Sequence, residues 1–342
     1  MNSSLKKNPK VTILMPVYNG ENYLREAIDS ILNQTLTDFE FLIINDGSTD
    51  LSEEIIRSYT DPRTRLVNNE INLGLIETLN KGIELSRGKY IARMDCDDIS
   101  LPERLEKQFN FMEKYQEVGI CGTWVETFGE VSGEIWDYPS DYFEIQARLL
   151  FESVLAHPSV MIRTELLKKN GLKYNLSYIH AEDYALWQRC SFCFPVNNIP
   201  EVLVKYRITS TSVSRTNSQE QKKTVEKIYI ESLKMLGLNV NKEQLLLHQQ
   251  IAVYKFPICN DFLVNANSWL CKLLDANEKS KRYSESSFCH LLGERWFNIC
   301  YRSTSLGLKV MWAFRRSPLS SFVEVPFKIK VKFLIKCFLQ KG

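Results

Sequence analysis

Three carboxylates stand within four residues, at Asp95, Asp97 and Asp98, directly after the apolar run Tyr90-Ile-Ala-Arg-Met94. Held together, they repel one another and raise a carboxyl pKa unless a cation sits among them. Hard oxygen ligands of this kind suit Mg²⁺ or Mn²⁺, and Mg²⁺ sites commonly use one or two carboxylates together with substrate phosphates. A solvated acidic turn capping the next helix fits the same spacing equally well. A second pair, Glu182-Asp183, opens a segment with Tyr184, Leu186 and Trp187 at helical spacing. A helix dipole would stabilise two acids there without any chemistry. Asp46 lies in Asn45-Asp-Gly-Ser48, where an Asx turn with Gly47 is one reading. Two other phosphate-binding solutions are missing. No GxGxxG follows the first apolar run and no GxxxxGK[ST] occurs, which argues against a Rossmann dehydrogenase or a P-loop enzyme. Cys190-Ser-Phe-Cys193 is a lone CxxC, so zinc is not expected. The nine cysteines read as small buried residues in a reducing compartment.

The elements that must position these acids follow from periodicity. Val11-Thr-Ile-Leu-Met15, Phe39-Glu-Phe-Leu-Ile-Ile44 and Tyr90-Ile-Ala-Arg-Met94 are β-rich runs. Tyr23, Leu24, Ala27, Ile28, Ile31 and Leu32 mark a helix between the first two. Further helices are expected over about 51–59 and around Leu75, Ile76, Leu79 and Ile83, the latter with Gly88 as C-cap. Ser100 with Glu103 reads as a capping box for a helix carrying Leu105, Phe109 and Met112. Continuous apolar strands alternating with amphipathic helices imply an α/β fold with a mostly parallel sheet covered on both faces. Ligands bind beyond the carboxyl ends of such strands, so the polar clusters at 16–21, 45–48 and 95–98 are expected to meet in one cleft. From Ser218 onward helical spacing dominates, and the polar stretch at 212–218 suggests a boundary.

The chain has 342 residues, 44% hydrophobic and 25% charged, with a formal net charge of +2, within the ordinary globular range. Charge is unevenly placed. From Arg302 to Gly342 there are nine Lys or Arg against one acid, Glu324, so the first 301 residues are net acidic. Near the end, Lys328, Lys330, Lys332 and Lys336 alternate with Phe327, Ile329, Val331, Phe333 and Ile335. Such a segment suits an anionic membrane surface, or else docks on the helical region with its lysines outward. No nucleic-acid fold accompanies it, so nucleic acid is not expected as a partner. The apolar run near the start is too short for a signal peptide, and no stretch reaches 18 apolar residues.

Set in order, VTILMPVYNGENYLREAIDSILNQT, DFEFLIINDGSTD, NLGL, GKYIARMDCDDISLPERL, HPSV, AEDYALWQR and VKYRITSTSVS make the chain resemble glycosyltransferase family 2, over roughly residues 9–215. Each motif is weak alone; the ordered set is specific. The resemblance implies a GT-A fold and inverting transfer from a nucleotide-sugar. By position, Pro16, Val17, Tyr18 and Asn19 would line the nucleotide pocket, with Glu21 just beyond. Asp46 would bond the uracil ring N–H, and Asn72 would lie near the nucleotide or else be a turn or cap residue. Asp97 would be the direct metal ligand, for Mn²⁺ or Mg²⁺, with Asp95 toward the ribose or the ion's water shell. Asp183 would accept the proton of the acceptor hydroxyl. Glu182 and His157 would border the acceptor, although His157 reads equally well as a core histidine. The chain departs from many relatives in having Ile208-Thr209 after Arg207 instead of a histidine, so a third protein metal ligand is not implied. It also lacks the QxxRW pattern of processive relatives, which favours single addition.

The expected organisation is a GT-A catalytic domain over 1–215, a helical region over 216–300 and a basic, membrane-associating tail over 301–342. The expected activity is transfer from a UDP-sugar to a lipid-linked saccharide in surface polysaccharide synthesis, at the cytoplasmic face of the membrane. Polyprenyl phosphate as acceptor, an aspartate-based phosphohydrolase and a non-catalytic sugar-nucleotide or membrane binder are the alternatives. Sugar, linkage and oligomeric state stay open.

Overall fold

The computed structural model describes residues 8–209 and 218–339. The expected boundary at 212–218 lies largely outside them. The chain divides into two compact units, one running to Ile145 and from Ser153 to Thr224, the other comprising Gln146–Glu152 and the chain from Val225.

The first unit opens with β1 (Val11–Val17), α1 (Leu24–Leu32), β2 (Phe39–Asn45), α2 (Ser52–Arg57), β3 (Thr64–Asn68), α3 (Leu75–Leu85) and β4 (Tyr90–Arg93). These strands pair in parallel in the order β3-β2-β1-β4, with Val11 opposite both Phe39 and Tyr90. Every residue of β1 and β2 is buried, the signature of strands covered on both faces. α1 buries Leu24, Ala27, Ile28 and Ile31 against them, the three-and-four spacing of one helix face. Gly88 lies beyond the end of α3 and is not its C-cap. A Cβ there would come within 2.4 Å of the Thr12 nitrogen, so glycine lets the chain enter β4 close beside β1.

Beyond β4 the sheet changes character. The chain continues through β5 (Ile99–Ser100), α4 (Arg104–Lys114), β6 (Ile120–Gly129), β7 (Ile135–Trp136), α5 (Tyr142–Arg148), β8 (Met161–Arg163), α6 (Thr164–Lys169), α7 (Glu182–Cys190) and β9 (Val196–Ile208). Spatially the order runs β4-β8-β6-β9-β5. β8 is antiparallel to both neighbours, β5 is antiparallel to β9, and β6 and β9 are parallel. Parallel pairing therefore holds for the first half of the sheet, and the second half is mixed. The capping box expected at Ser100 and Glu103 does not form. Ser100 is drawn into β5, where its hydroxyl accepts from Gln34, and α4 begins after Glu103 without a side-chain cap.

The second unit is helical: the remainder of α8 (Ser218–Met235), then α9 (Lys242–Ala252), α10 (Asn260–Ser280), α11 (Glu285–Arg302), α12 (Leu308–Arg316) and α13 (Phe327–Leu339). The short insert 146–152 belongs to its core. Tyr229 donates to the Phe151 carbonyl at 2.7 Å. Buried His248 accepts from the Trp269 indole at 3.3 Å and so presents its other ring nitrogen to the Leu150 carbonyl at 3.1 Å. Buried Arg295 pairs with Glu152 and donates to the Ala252 carbonyl at 2.7 Å.

Candidate active site

The ends of β1 and β2 carry two loops laced together by their own polar groups. The Asn19 amide donates to the Ser48 hydroxyl at 3.1 Å, and its side-chain carbonyl accepts from the Thr49 amide at 2.9 Å. The Glu21 amide donates to Asp50 at 3.0 Å, and its carboxylate accepts from the Leu51 amide at 3.0 Å. Asn19 is in the left-handed region at φ 50°, which this residue type tolerates. Pro16 and Val17 are buried in β1, and Tyr18 is exposed on the rim.

Asp46 is only 3% exposed and ties a third loop to this pair. It accepts from the Asn69 side chain at 2.7 Å and from the amides of Leu73 and Gly74, both at 2.9 Å. A carboxylate offers about four acceptor sites, so three bonds leave one. The local turn is made by Asn45, whose side chain accepts from the Ser48 amide at 3.1 Å. Gly47, at φ +67°, lets that turn pass Ile71, where a Cβ would meet the backbone at 2.6 Å. Asn72 accepts from the Gly74 amide at 2.8 Å, closing its own turn.

A cavity of about 640 Å³ lies beside this region, with Leu73 and Gly74 in its wall. It gathers Asp95, Asp97, Asp98, His157, Glu182 and Asp183. The loop residues Asn19, Glu21, Asp46 and Asn72 do not line it. Of the expected site residues, the structure thus unites the two acidic groups and His157, and holds the nucleotide set in the adjoining loop cluster.

Buried Arg93, the last residue of β4, pairs with Asp95. Asp98 is 1% exposed. One of its oxygens accepts from the Arg207 amide at 2.7 Å; the other is buried with no hydrogen-bond partner. Arg207 also donates to the Asp97 carbonyl at 2.7 Å, pairs with Glu26, and lies over the Tyr23 and Phe128 rings. Asp98 is therefore locked to β9 and does not serve as a helix-start acid. One carboxylate oxygen from each of the three aspartates falls within 4.8 Å of the others. Burial, then the neighbouring Asp95 charge, pushes Asp97 up to about 6 against the pull of Arg93, and Asp98 rises well above the usual range for the same reasons. Clustered hard oxygens, an orphaned Asp98 oxygen and suppressed ionisation fit a divalent cation.

Across the cavity, Glu182 and Asp183 begin α7, which is anchored by buried Tyr184, Leu186 and Trp187. Burial and the Asp183 charge push Glu182 up to about 7. Burial also raises Asp183, against the Tyr184 amide it accepts from at 2.7 Å and the Arg93 charge, and the Asp95 charge raises it further. His180, just upstream, is left-handed at φ 65°, an uncommon conformation for its type. Its carbonyl accepts from Gln221 at 2.9 Å, so the first turn of α8 fixes the approach to the acids. His157 shares a 2.8 Å hydrogen bond with the Tyr174 hydroxyl, and its ring lies edge-on to Trp187. Burial and Arg93 hold it well below the usual histidine range, so it faces the cavity as a neutral ring.

Sequence reasoning missed Arg93, Arg207 and the aromatic wall formed by Trp136 and Tyr206, whose rings are 5.0 Å apart. Arg93 had one signal, a cation inside a run that should be buried. Trp136 and Tyr206 meet only because β7 and β9 both pair with β6.

A family model described as Glycosyl transferase family 2 matches residues 12–171. An uncharacterized glycosyltransferase of Haemophilus influenzae is 36% identical over 239 residues, covering 66% of this chain and 73% of its own. The O-antigen biosynthesis glycosyltransferase WbnJ of Escherichia coli is 32% identical, covering 62% and 85%, and the amylovoran biosynthesis glycosyltransferase AmsE of Erwinia amylovora is 32% identical, covering 64% and 84%. Among solved structures, S. aureus TarS 1–349 in complex with UDP-GlcNAc superposes with a TM-score of 0.59 at 16% identity, covering 92% of this chain and 89% of TarS, a likeness of fold. With its GT-A sheet, acid-lined cavity and helical C-terminal region, the chain belongs to glycosyl transferase family 2 and is a glycosyltransferase.

Proposed function

We propose that the protein transfers a sugar from a UDP-sugar to a hydroxyl of a saccharide acceptor, with inversion at the anomeric carbon. The observation that carries this reading is the convergence of the 95–98 acids and the Glu182-Asp183 pair on one cavity, near enough for Asp95 to raise the Asp183 carboxyl. Asp183 accepts the acceptor's proton as that oxygen bonds to the anomeric carbon, on the face opposite the departing diphosphate. Glu182 and neutral His157 border the acceptor. Asp46, with one acceptor site left, takes the uracil N–H, while Pro16, Val17, Tyr18, Asn19, Glu21 and Asn72 shape the loops around the base and ribose. Asp97, with Asp95, would hold Mn²⁺ or Mg²⁺, whose chemistry is Lewis-acid stabilisation of the diphosphate leaving group. Incubating purified protein with a set of UDP-sugars, Mn²⁺ and a cell lipid extract yields a labelled glycolipid that EDTA suppresses. Transfer persisting after complete metal removal refutes the metal, and no transfer from any UDP-sugar refutes the donor class.

The saccharide acceptor is supported by the names of the O-antigen and amylovoran relatives, and we place it on a lipid at the inner face of the membrane. Among the described residues no helix is long and apolar enough to cross a membrane. α13 buries Phe333 and Cys337, one turn apart, and leaves Phe327 80% exposed, with Phe338 and Leu339 also exposed beside its lysines. One face of the helix is thus docked on the protein, and we assign the exposed face to the membrane surface. Converting Phe327, Phe338 and Leu339 to serine lowers binding to phosphatidylglycerol vesicles by about tenfold in a sedimentation assay, since these rings and chains would sit at the headgroup boundary. Unchanged binding removes the tail from membrane contact.

A further inference from the structure

The proton transfer assigned to Asp183 leaves the aromatic wall of the transfer cavity without a role. Trp136, Tyr138 and Tyr206 line that cavity together with the 95–98 acids and the Glu182-Asp183 pair. Sheet pairing fixes the wall. Trp136 stands opposite Val125 on one edge of β6, and Tyr206 stands opposite Thr127 on the other edge. Residues 125 and 127 share a face of the strand, so the two partner rings meet across it, tilted by 42°. Buried Val125, Ala156 and Val204 back all three aromatic residues. The Trp124 indole donates to the Tyr138 carbonyl at 2.8 Å and holds the chain just past β7. Packing accounts for the rings but not for their polar atoms. The Trp136 indole N–H and the Tyr138 and Tyr206 hydroxyls have no hydrogen-bond partner among the described residues. None of these three atoms is enclosed, so each is open to a bound molecule.

Two properties of the lining select a ligand. Aromatic faces take up apolar surface, and the carboxylates of the same cavity accept hydrogen bonds from hydroxyls. A pyranose ring offers both, a face of C–H bonds and a rim of hydroxyls. An alkyl chain would leave the acids unanswered, and a bare phosphate beside Asp183 would be repelled by it. Burial, then the Asp183 charge, pushes the Tyr138 hydroxyl up. Burial, then the charges of Asp98, Asp95 and Asp97, does the same to Tyr206. Both hydroxyls therefore stay protonated and able to donate to sugar oxygens. The wall also reaches from the 95–98 acids to the side of Asp183, where the attacking hydroxyl must lie. We propose that the terminal pyranose of the acceptor stacks on Trp136 and Tyr206 and takes a hydrogen bond from Tyr138, which makes this wall select a saccharide end over a bare lipid phosphate. The inference rests on the reading of Asp183 as the base, since that fixes the acceptor's side of the cavity.

Saturation-transfer NMR on the full chain with UDP and Mg²⁺ tests this, with the methyl pyranosides of glucose, galactose, mannose and N-acetylglucosamine as probes. Irradiating the aromatic protons is expected to saturate the ring C–H protons of at least one pyranoside, with saturable binding. That binding weakens by about tenfold in Trp136→Ala, which loses the stacking face. It weakens several-fold in Tyr138→Phe, which keeps the ring and lacks only the open hydroxyl, so this variant retains the fold even if Trp136→Ala does not. UDP affinity by calorimetry is expected to be unchanged in both. Glucitol, with hydroxyls but no ring face, is expected to give no saturable signal. No binding of any pyranoside, equal binding of glucitol, or wild-type binding in both variants overturns the wall as an acceptor subsite. A greater loss of affinity for UDP-sugars than for UDP in Trp136→Ala also overturns it, by giving the wall to the donor's sugar. Binding needs no turnover, so pyranoside binding that depends on Trp136 upholds the subsite even where no UDP-sugar serves as donor. Transfer with an unaltered acceptor KM in Trp136→Ala overturns the subsite and leaves the proposed function standing.

Discussion

Replacing Asp183 by asparagine abolishes sugar transfer while leaving UDP affinity near that of the wild type. The amide keeps the volume of the carboxylate and can still accept from the Tyr184 amide, so α7 retains its start. What it loses is the ability to take a proton from the attacking hydroxyl, a loss of about 10²–10⁴-fold in turnover for a positioned base. The loops proposed to hold UDP follow β1 and β2 and do not depend on α7, so a fluorescence or calorimetric titration of UDP separates catalysis from binding. The pH dependence has a definite sign. A base must be unprotonated to act, and both members of the Glu182-Asp183 pair are raised, Glu182 up to about 7. Activity therefore falls as pH drops through a range above that of ordinary carboxylates, which is where the acidic limb of kcat/KM lies. A fully active Asp183→Asn protein takes Asp183 out of the base role.

Much of this site could be read from local sequence, and the part that could not was non-local. β1 and β2 announce themselves because both faces of each are covered, leaving unbroken apolar runs. The 95–98 cluster is legible because three acids stand together at a strand end. Asp183 was a candidate only through the resemblance, since two acids opening a helix need no function. The clasp from β9 was invisible: Arg207 reaches Asp97 and Asp98 across more than a hundred residues of chain. Ser100 showed the converse failure. A cap signature that is sound locally gave way because sheet pairing with β9 claimed the residue first. The insert 146–152 gave no sign in sequence that its carbonyls complete the helical unit.

Arg93 is the residue on which the acids' coexistence rests, and removing it has the largest expected effect on stability. It is almost fully buried, it pairs with Asp95, and its charge opposes the upward shift of Asp97, Asp98, Glu182 and Asp183 alike. A single guanidinium thus offsets carboxylates on both sides of the cavity. Burying a charge without its partner is costly, because attraction that compensated desolvation disappears while the desolvation remains. Arg93→Met fits the space with an apolar chain and strands those acids, so unfolding free energy falls by about 3–5 kcal/mol in urea denaturation without added metal. Asp95 is about a quarter exposed and can turn to water, which places the loss toward the lower figure. Added Mn²⁺ restores part of that stability in Arg93→Met, since a bound cation meets the same carboxylates, and restores less in Asp97→Asn. Arg93→Lys loses less than methionine, keeping the charge but not the planar fork. An Arg93→Met protein as stable as the wild type would mean that the cavity acids are solvated well enough to do without a counter-charge, and the case for a cation among them would fall with it.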